Sequence, residues 1–408
     1  FFTYDVSTPM PGLPALVPTV GAALIIYLAD TRTFVGKILA CRPLMMLGLM
    51  SYSAYLWHQP VFAFVRQIFF IDRGGITSAL LIPLCLVLAF ASWRWIERPF
   101  RVPGGLSRQS VFIFSGICTL AFLSFWLAGH VTGGFPGRIG DTAQGQFIKY
   151  YDNALPERAY FAREQILARL RDDCNFAMVW GGALTNGAPS ENIASDCFVS
   201  NSARPIIFIW GDSHAQMLRP GLDETLKTDW QILQVTSSGC APTIPTTREE
   251  KNNYCEYSNW FALKAIAQTK PSIVIVGQKT GHDSKTMDQI GQQLLSIGAG
   301  RVIFTGPAPQ WNVELPKIVY RLWNSHHRFS FAGLSREVLV RDSTLKETFI
   351  QSSRMHFASL IDFFCHQDGC QTYIGDNKTF GLTSWDYGHL TPGASIEFAR
   401  NVLVPLIK

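Results

Sequence analysis

Three side chains in the C-terminal half of the chain have the types that acyl transfer requires. Ser213 lies in the string Gly-Asp-Ser-His (211–214), and Asp386 and His389 lie in Asp-Tyr-Gly-His (386–389). A serine attacks an acyl carbon at neutral pH when a base takes its proton and a third group orients that base. We therefore predict Ser213 as the nucleophile and His389 as the base, with Asp386 orienting His389 and stabilising its imidazolium form.

The tetrahedral intermediate of such a reaction carries an oxyanion, which fixed hydrogen-bond donors must stabilise. The backbone N–H groups of Ser213 and Gly239 are the candidates, because Ser-Gly-Cys (238–240) ends a predicted strand and glycine allows close approach. We expect Asp212 to cap the helix that begins beside Ser213. His214 is expected to be a packed neighbour, and a second base is the alternative.

The sequence around these side chains alternates between predicted strands and helices. Gly211 and Asp212 separate Ser213 from the apolar run PIIFIW (205–210), and a helical stretch follows at 215–226. The other predicted elements are strands at 230–238, 271–277, 301–306 and 356–364, with helical sequence between them, and a final helix at 392–403. This alternation indicates an α/β domain with a parallel sheet flanked by helices on both faces. Ligands bind such sheets at the carboxyl ends of the strands, where Ser213 lies. Asp362 is predicted to be a structural carboxylate at the end of the last strand.

The N-terminal third of the chain contains apolar segments long enough to cross a bilayer. A transmembrane helix needs about 20 residues, and we predict four spans, at 12–29, 43–66, 76–95 and 110–129. The string SYSAYLWHQP (51–60) places His58 at or near membrane depth. An ionisable side chain there is a functional candidate, and a structural histidine bonded to a neighbouring helix is the alternative.

The uneven distribution of charge predicts the orientation of these spans. Residues 1–129 hold nine Lys and Arg against four Asp and Glu, which accounts for the whole formal charge of +5. Residues 130–408 carry 26 basic and 26 acidic side chains, so nucleic-acid binding is excluded. The loops 30–42 and 94–109 hold seven of the basic residues and therefore face the cytoplasm. Alternation of the spans then places 130–408 outside.

Six cysteines fall in this external part, where the compartment is oxidising. An even number in such a compartment predicts disulfides, and six cysteines allow 15 connectivities. Closeness in sequence favours the pairs Cys174–Cys197, Cys240–Cys255 and Cys365–Cys370. A zinc cluster competes weakly with this interpretation, because the sequence contains no Cys-x-x-Cys. We predict that the chain holds no metal and no cofactor.

Two strings of the N-terminal part resemble a known membrane family. SYSAYLWHQP followed by WRWIERPFR (93–101) is similar to the last spans of the acyltransferase-3 family of membrane O-acyltransferases. The resemblance implies that residues 1–101 are the end of such a membrane domain and that acetyl-CoA is the donor, handled by earlier spans. The chain begins with Phe1 rather than Met, so we expect a fragment or a processed product. Residues 102–129 are then one extra transmembrane helix.

The C-terminal part resembles the SGNH hydrolase family over about residues 200–408, and we predict the domain itself at 203–408. Ser213, Gly239, Asp386 and His389 match the family's Ser, Gly and terminal Asp-x-x-His blocks. The Asn block is missing, because the third strand is followed by Gly-Gln-Lys (277–279). Either Gln278 supplies the third oxyanion donor or the site works with two donors. Residues 130–202 are predicted to be a linker and adapter between the last span and this domain.

Together the two resemblances imply a multi-pass protein of the bacterial inner membrane with residues 130–408 in the periplasm. This architecture is similar to that of the bacterial lipopolysaccharide O-antigen acetylases. It implies an O-acetyltransferase that moves an acetyl group, through an acyl-Ser213 intermediate, to a hydroxyl of a surface glycan or lipid-linked glycan. A membrane-tethered carbohydrate O-acetylesterase and a non-catalytic glycan-binding domain are the alternatives.

Overall fold

The structure is a computed structural model, and it forms two compact units, Phe1–Phe135 and Pro136–Lys408. The residues it describes are 12–69, 75–101, 107–135, 142–151, 159–177, 179–180, 183–184, 190, 192–245, 254–324 and 327–408.

The N-terminal unit is helical in its described residues. Its helices are α1 (Leu16–Leu28), α2 (Phe34–Leu39), α3 (Arg42–Phe69), α4 (Gly75–Ser92), α5 (Arg98–Arg101) and α6 (Arg108–Val131). A 3-10 turn, Leu13–Ala15, precedes α1, and a π-helical turn, Trp93–Glu97, joins α4 to α5. Side-chain hydrogen bonds join α3 to this region, from Ser53 Oγ to Glu97 Oε2 at 2.7 Å and from Trp57 Nε1 to Ser92 Oγ at 2.7 Å.

Two helices in the described residues are long and apolar enough to cross a membrane, so four spans are not confirmed. They are Ala79–Arg101 and Arg108–Val131, which correspond to the third and fourth predicted segments. The first predicted segment forms a shorter apolar helix, Leu13–Leu28. The second lies in α3, which is long but carries polar residues such as Ser53, His58 and Gln59 along its length.

The C-terminal unit is built on a five-stranded parallel sheet. Its strands, in spatial order, are β4 (Gln231–Thr236), β3 (Ile206–Gly211), β5 (Ile273–Gly277), β6 (Arg301–Thr305) and β8 (Met355–Ala358). Gly211 at the end of β3 is in register with Thr236 on one side and with Gly277 on the other. The carboxyl ends of these three neighbouring strands therefore lie at one edge of the sheet.

The remaining elements of this unit surround the sheet. Its helices are α7 (Ala143–Tyr151), α8 (Ala159–Arg163), α9 (Ile166–Leu170), α10 (Ser213–Gln216), α11 (Arg219–Leu226), α12 (Tyr254–Thr269), α13 (Ser284–Ser296), α14 (Leu315–Arg321), α15 (Arg336–Thr348), α16 (Leu360–Phe364), α17 (Pro392–Phe398) and α18 (Val404–Ile407). The short antiparallel strands are β1 (Val179–Trp180) with β2 (Ala183–Leu184), and β7 (Phe329–Ser330), β10 (Gly369–Gln371) and β9 (Cys365–His366).

Both faces of the sheet are covered, as the sequence predicts for a parallel sheet flanked by helices. On one face Phe208 and Val274 pack in a core with apolar residues of α12 and α13, such as Ile266 and Leu294. The intervening strand residues, such as Ile209, are fully buried as well. Burial on both faces explains why these strands are continuous apolar runs rather than alternating ones.

Two predicted elements are each divided into two elements in the structure. The run 356–364 is not one strand, because β8 ends at Ala358 and α16 follows. Ser359 caps α16 by accepting a hydrogen bond from the Asp362 N–H at 2.9 Å. Asp362 therefore lies in a short helix, where its carboxylate accepts from Lys346 Nζ at 2.5 Å. The predicted helix 215–226 is divided into α10 and α11.

The three predicted disulfides are confirmed: Cys174–Cys197, Cys240–Cys255 and Cys365–Cys370. Each joins a cysteine to the next one along this part of the chain. Residues before 203 also contribute to the interior of the unit, since Phe147 and Phe176 are buried. The Phe176 N–H donates to the Thr236 carbonyl at 3.0 Å, which attaches this segment to the edge of the sheet. The boundaries proposed for the adapter stay predictions.

Candidate active site

Ser213 is the first residue of α10, two residues after the end of strand β3. Asp212 caps this helix, with its Oδ1 accepting from the His214 N–H at 2.7 Å. The other oxygen, Oδ2, accepts from the Lys279 N–H at 2.8 Å, beyond the end of β5. Burial raises the pKa of Asp212 to about 6, although these N–H groups favour its charged form. One carboxylate thus links the ends of two strands beside the nucleophile candidate.

Glycine is required where β3 meets this helix. Gly211 has φ +149°, and a Cβ there would lie 1.9 Å from the Gly277 carbonyl oxygen and 2.8 Å from the Ala215 Cβ. Gly277 also lies close to α10, because its Cβ would lie 2.9 Å from Ala215 Cα. The two glycines let the start of α10 approach the sheet and present Ser213 at its edge.

The structure brings Ser213, His389 and Asp386 into one hydrogen-bonded chain. His389 Nε2 lies 2.8 Å from Ser213 Oγ, and His389 Nδ1 lies 2.6 Å from Asp386 Oδ2. Asp386 Oδ1 accepts from the backbone N–H groups of Gly388 at 2.9 Å and His389 at 2.8 Å. The short loop therefore fixes the carboxylate, the carboxylate fixes the imidazole, and the imidazole reaches the serine. These are the contacts of a nucleophile with its base and the base with its orienting group.

Electrostatics match this arrangement. Burial opposes the charged form of His389, but the Asp386 carboxylate outweighs it and raises the pKa of His389. Burial also opposes the charge of Asp386, but the imidazole and the two N–H donors lower the net pKa of Asp386. Asp386 is therefore ionised when His389 takes up a proton, which stabilises the imidazolium.

Three further rings contact His389, and two of them, Trp385 and Tyr387, were not predicted from the sequence. Trp385 stacks on His389, with centroids 5.6 Å apart and an interplanar angle of 5°. His214 lies 4.7 Å away and Tyr387 5.2 Å away, measured between ring centroids. Trp385 and Tyr387 flank Asp386 in sequence, and this adjacency was the one available signal.

His214 is a buried neighbour of the site. Its Nε2 lies 3.2 Å from the Tyr387 hydroxyl, and burial holds its pKa well below the ordinary value. His214 is therefore neutral at physiological pH. The Lys279 ammonium also lies 4.2 Å from the centroid of the Tyr387 ring, within cation–π distance.

The predicted oxyanion donors lie at the same edge of the sheet as Ser213. Gly239 is in the turn after β4, with φ +77° and no atom within 4 Å of a Cβ built there. Gln278 directly follows β5 and is buried. The two positions thus follow the two strands that flank β3, but the donor roles of Ser213, Gly239 and Gln278 stay predictions.

The membrane-domain candidate His58 lies in α3 of the N-terminal unit. Its Nδ1 is 2.5 Å from the Tyr55 carbonyl oxygen, one helical turn earlier, and its ring is 5.4 Å from that of Tyr55. This bond satisfies one ring nitrogen within the helix itself. A functional role for His58 stays a prediction.

One group in the described part of the chain has the spacing of metal ligands: Asp173, Cys174 and Cys197. The two sulfurs form a disulfide and offer no thiolate. These residues therefore do not fit a zinc site, which needs deprotonated thiols.

Comparison with known proteins identifies several relatives. The chain is 30% identical over 89 residues to the peptidoglycan O-acetyltransferase OatA of Listeria monocytogenes, which is 22% of this chain and 14% of that protein. It is 35% identical over 95 residues to the putative membrane-bound transacylase BcsY of Komagataeibacter xylinus, 23% of this chain and 24% of that protein. The chain thus covers less than a quarter of the length of these relatives.

Among solved structures, the periplasmic domain of a lipopolysaccharide acetyltransferase from Salmonella ser. Paratyphi A is similar. It has a TM-score of 0.49 and 23% sequence identity, and the match covers 62% of this chain and 98% of that one. The family described as "SGNH domain (fused to AT3 domains)" matches residues 183–403, which is more than half of the 408 residues. On this match the chain belongs to the family of SGNH domains that are fused to AT3 domains.

Proposed function

We propose that this protein is an O-acetyltransferase in which Ser213 carries an acetyl group to a hydroxyl of a cell-surface sugar. The observation that carries the proposal is the hydrogen-bonded chain from Ser213 Oγ through His389 to Asp386. Membership of a family fused to acyltransferase-3 domains supports it, as do relatives named O-acetyltransferases.

In the first half of the reaction, Ser213 Oγ attacks the carbonyl carbon of the acetyl donor and gives its proton to His389 Nε2. The tetrahedral intermediate then collapses, and the leaving group departs with that proton. Acetyl-Ser213 remains. The N–H groups of Ser213 and Gly239, with Gln278, are proposed to hold the oxyanion.

In the second half, the oxygen of a sugar hydroxyl attacks the acetyl carbon while His389 takes the proton of that hydroxyl. Ser213 Oγ leaves and recovers the proton from His389. The product is an acetylated sugar. Water in place of the sugar would give an esterase, so the identity of the acceptor separates the two activities.

The proposed donor is cytoplasmic acetyl-CoA, delivered through membrane spans of the acyltransferase-3 part. The proposed acceptor is a surface glycan or lipid-linked glycan of the O-antigen type, at the periplasmic face of the inner membrane. Three disulfides support a periplasmic location for the C-terminal unit, because they persist in oxidising compartments.

The test is peptide mass spectrometry of the full chain after incubation with an activated acetyl ester. We expect an acetyl adduct on Ser213, lost on addition of an acceptor glycan with matching appearance of acetylated sugar. Ser213→Ala and His389→Ala should abolish the adduct, and Asp386→Asn should slow its formation by about 10⁴-fold. Ser296→Ala, at an exposed serine of α13, is the matched control.

Three results would contradict the proposal in different ways. Loss of the adduct to water at the same rate with and without glycan would favour an esterase. An inert Ser213 would favour a glycan-binding domain. An adduct that persists in Ser213→Ala would place the nucleophile elsewhere.

A further inference from the structure

The two ring nitrogens of His389 are engaged by Ser213 and Asp386, which leaves the faces of the imidazole open to contacts with other side chains. Trp385 covers one face in a nearly parallel stack, at 5.6 Å and 5°. This is the offset geometry that aromatic pairs favour. The indole is 4% exposed, so it is fixed by packing rather than free to rotate in solvent.

The packing behind Trp385 comes from a distant part of the chain. Phe161 of α8 meets the indole edge-on, with ring centroids 5.8 Å apart and an angle of 80°. Tyr160 lies 6.3 Å from it at 37°. Both are buried, and Tyr160 in turn contacts Tyr150 and Tyr151 of α7. These five residues, Tyr150, Tyr151, Tyr160, Phe161 and Trp385, are called the aromatic buttress below.

The buttress joins the loop of His389 to helices outside the recognised domain. The family match begins at residue 183, whereas α7 and α8 end before it. The loop is also held by its own backbone, since the Trp385 N–H donates to the His389 carbonyl at 3.3 Å. The backbone bond fixes the course of the loop, and the buttress fixes the position of the indole.

We propose that Trp385 is a positioning residue for His389. The indole, held by Phe161 and Tyr160, sets the plane of the imidazole so that its nitrogens face Ser213 and Asp386 together. It also stabilises the imidazolium that each proton transfer creates, because a cation is attracted to the face of an indole ring. The inference rests on the proposed function for the use of His389 as a base. It makes α7 and α8 part of the machinery that supports catalysis.

A purely structural role for Trp385 predicts a different result. If the indole only fills the interior, its loss lowers the stability of the fold and leaves the pKa of His389 unchanged. If the indole positions and stabilises the imidazolium, its loss lowers the pKa of His389 and slows the reaction of Ser213. The two roles are therefore separated by titrating His389, independently of stability.

The experiment compares Trp385→Leu, Trp385→Phe and Phe161→Leu in the full chain. The pKa of His389 is measured by NMR of labelled histidine, with its signal assigned by its loss in His389→Gln. The reactivity of Ser213 is measured as the rate of inactivation by a fluorophosphonate. Trp323→Leu is the matched control, because Trp323 contacts Phe147 of the same helix α7.

We expect Trp385→Leu to lower the pKa of His389 by at least about half a unit, because this is the size of an exposed cation–π contact and a buried contact is stronger. Phosphonate labelling should slow by between about tenfold and 100-fold, as a misplaced base requires. Trp385→Phe keeps an aromatic ring over the imidazole, so the pKa of His389 and the labelling rate should stay close to those of the wild type. Phe161→Leu should lower the pKa of His389 and the labelling rate by smaller amounts. Trp323→Leu should change neither quantity.

An unchanged pKa of His389 in folded Trp385→Leu would overturn the inference. If Trp385→Leu does not fold, the test rests on Phe161→Leu. A wild-type pKa of His389 together with a wild-type labelling rate in Phe161→Leu would also overturn the inference. A wild-type protein that is inert to the phosphonate, with a lower His389 pKa in Trp385→Leu, would contradict the proposed function alone.

Discussion

His389 is the residue whose protonation controls the proposed reaction at both steps. It must be neutral to take a proton from Ser213 or from a sugar hydroxyl. Its bond to Asp386 favours the charged form, and its side chain is still 16% exposed, so it can exchange protons with solvent. The same carboxylate that strengthens the base therefore moves its working range towards higher pH.

This predicts the acid limb of the pH profile. The rate of Ser213 labelling should fall as the pH falls through the raised pKa of His389, with a midpoint above the ordinary value of about 6.5. Asp386→Asn removes the carboxylate that raises this pKa, so the midpoint should move to lower pH while the rate falls. The measurement is phosphonate inactivation between pH 5 and 9, at about half-unit steps.

His366→Gln is the control for this experiment, because His366 is exposed and lies in β9. Its profile should match that of the wild type. A wild-type midpoint at or below that of Asp386→Asn would show that Asp386 does not favour the imidazolium.

At the scale of elements, the position of Ser213 could be predicted from the sequence, because the end of one strand determines it. Ser213 follows an apolar run of strand length, and parallel strands gather their carboxyl ends, so its position needed no long-range information. The pairing with His389 could be predicted from residue types alone. The stack of Trp385 on His389 could not, because its support comes from α8, far away in sequence.

The errors have equally local causes. The apolar run Leu-Ile-Asp-Phe-Phe continues the pattern of β8, so hydrophobicity alone extends the strand. The hydroxyl of Ser359 begins a helix there instead. The second predicted span stays a prediction, because α3 is long enough to cross a membrane but its polar side chains lower its hydrophobicity.

The junction of β3 with α10 gives a prediction about stability. Gly211→Ala should destabilise the C-terminal unit by at least about 3 kcal/mol, because its Cβ meets the Gly277 carbonyl oxygen at 1.9 Å and neither backbone can move freely. Gly375→Ala is the control, since Gly375 also has positive φ (+65°) but no atom within 4 Å of its Cβ. It should cost about 1–2 kcal/mol.

The measurement is the denaturant midpoint of each variant, followed by near-UV circular dichroism. Equal losses in the two variants would mean that backbone conformation alone, and not the close approach of α10, requires glycine at 211.

At the scale of the whole molecule, the orientation in the membrane decides whether the site can meet its acceptor. In the sequence, helix α6 lies between the basic residues Arg94, Arg98 and Arg101, which are helical rather than in a loop as predicted, and the C-terminal unit. Its ends are capped by Ser107, which accepts from the Ser110 N–H at 3.1 Å, and by Thr132, whose hydroxyl donates to the Ala128 carbonyl at 2.7 Å.

We predict that Ser107 faces the cytoplasm and Thr132 the periplasm. In a chain with Cys41, Cys85 and Cys118 replaced by alanine, Thr132→Cys should react with a membrane-impermeant thiol reagent in intact spheroplasts. Ser107→Cys should react only after permeabilisation. The reverse pattern would invert the topology and separate Ser213 from surface glycans.

The order of the disulfides has a consequence for how such a chain matures. Each pair joins neighbouring cysteines, with separations of 23, 15 and 5 residues. In a polypeptide that emerges from its amino end, every cysteine meets its native partner before the next pair appears. Oxidation in order of arrival therefore produces the native set without shuffling. Maturation should depend on an oxidant during export and be indifferent to loss of a disulfide isomerase.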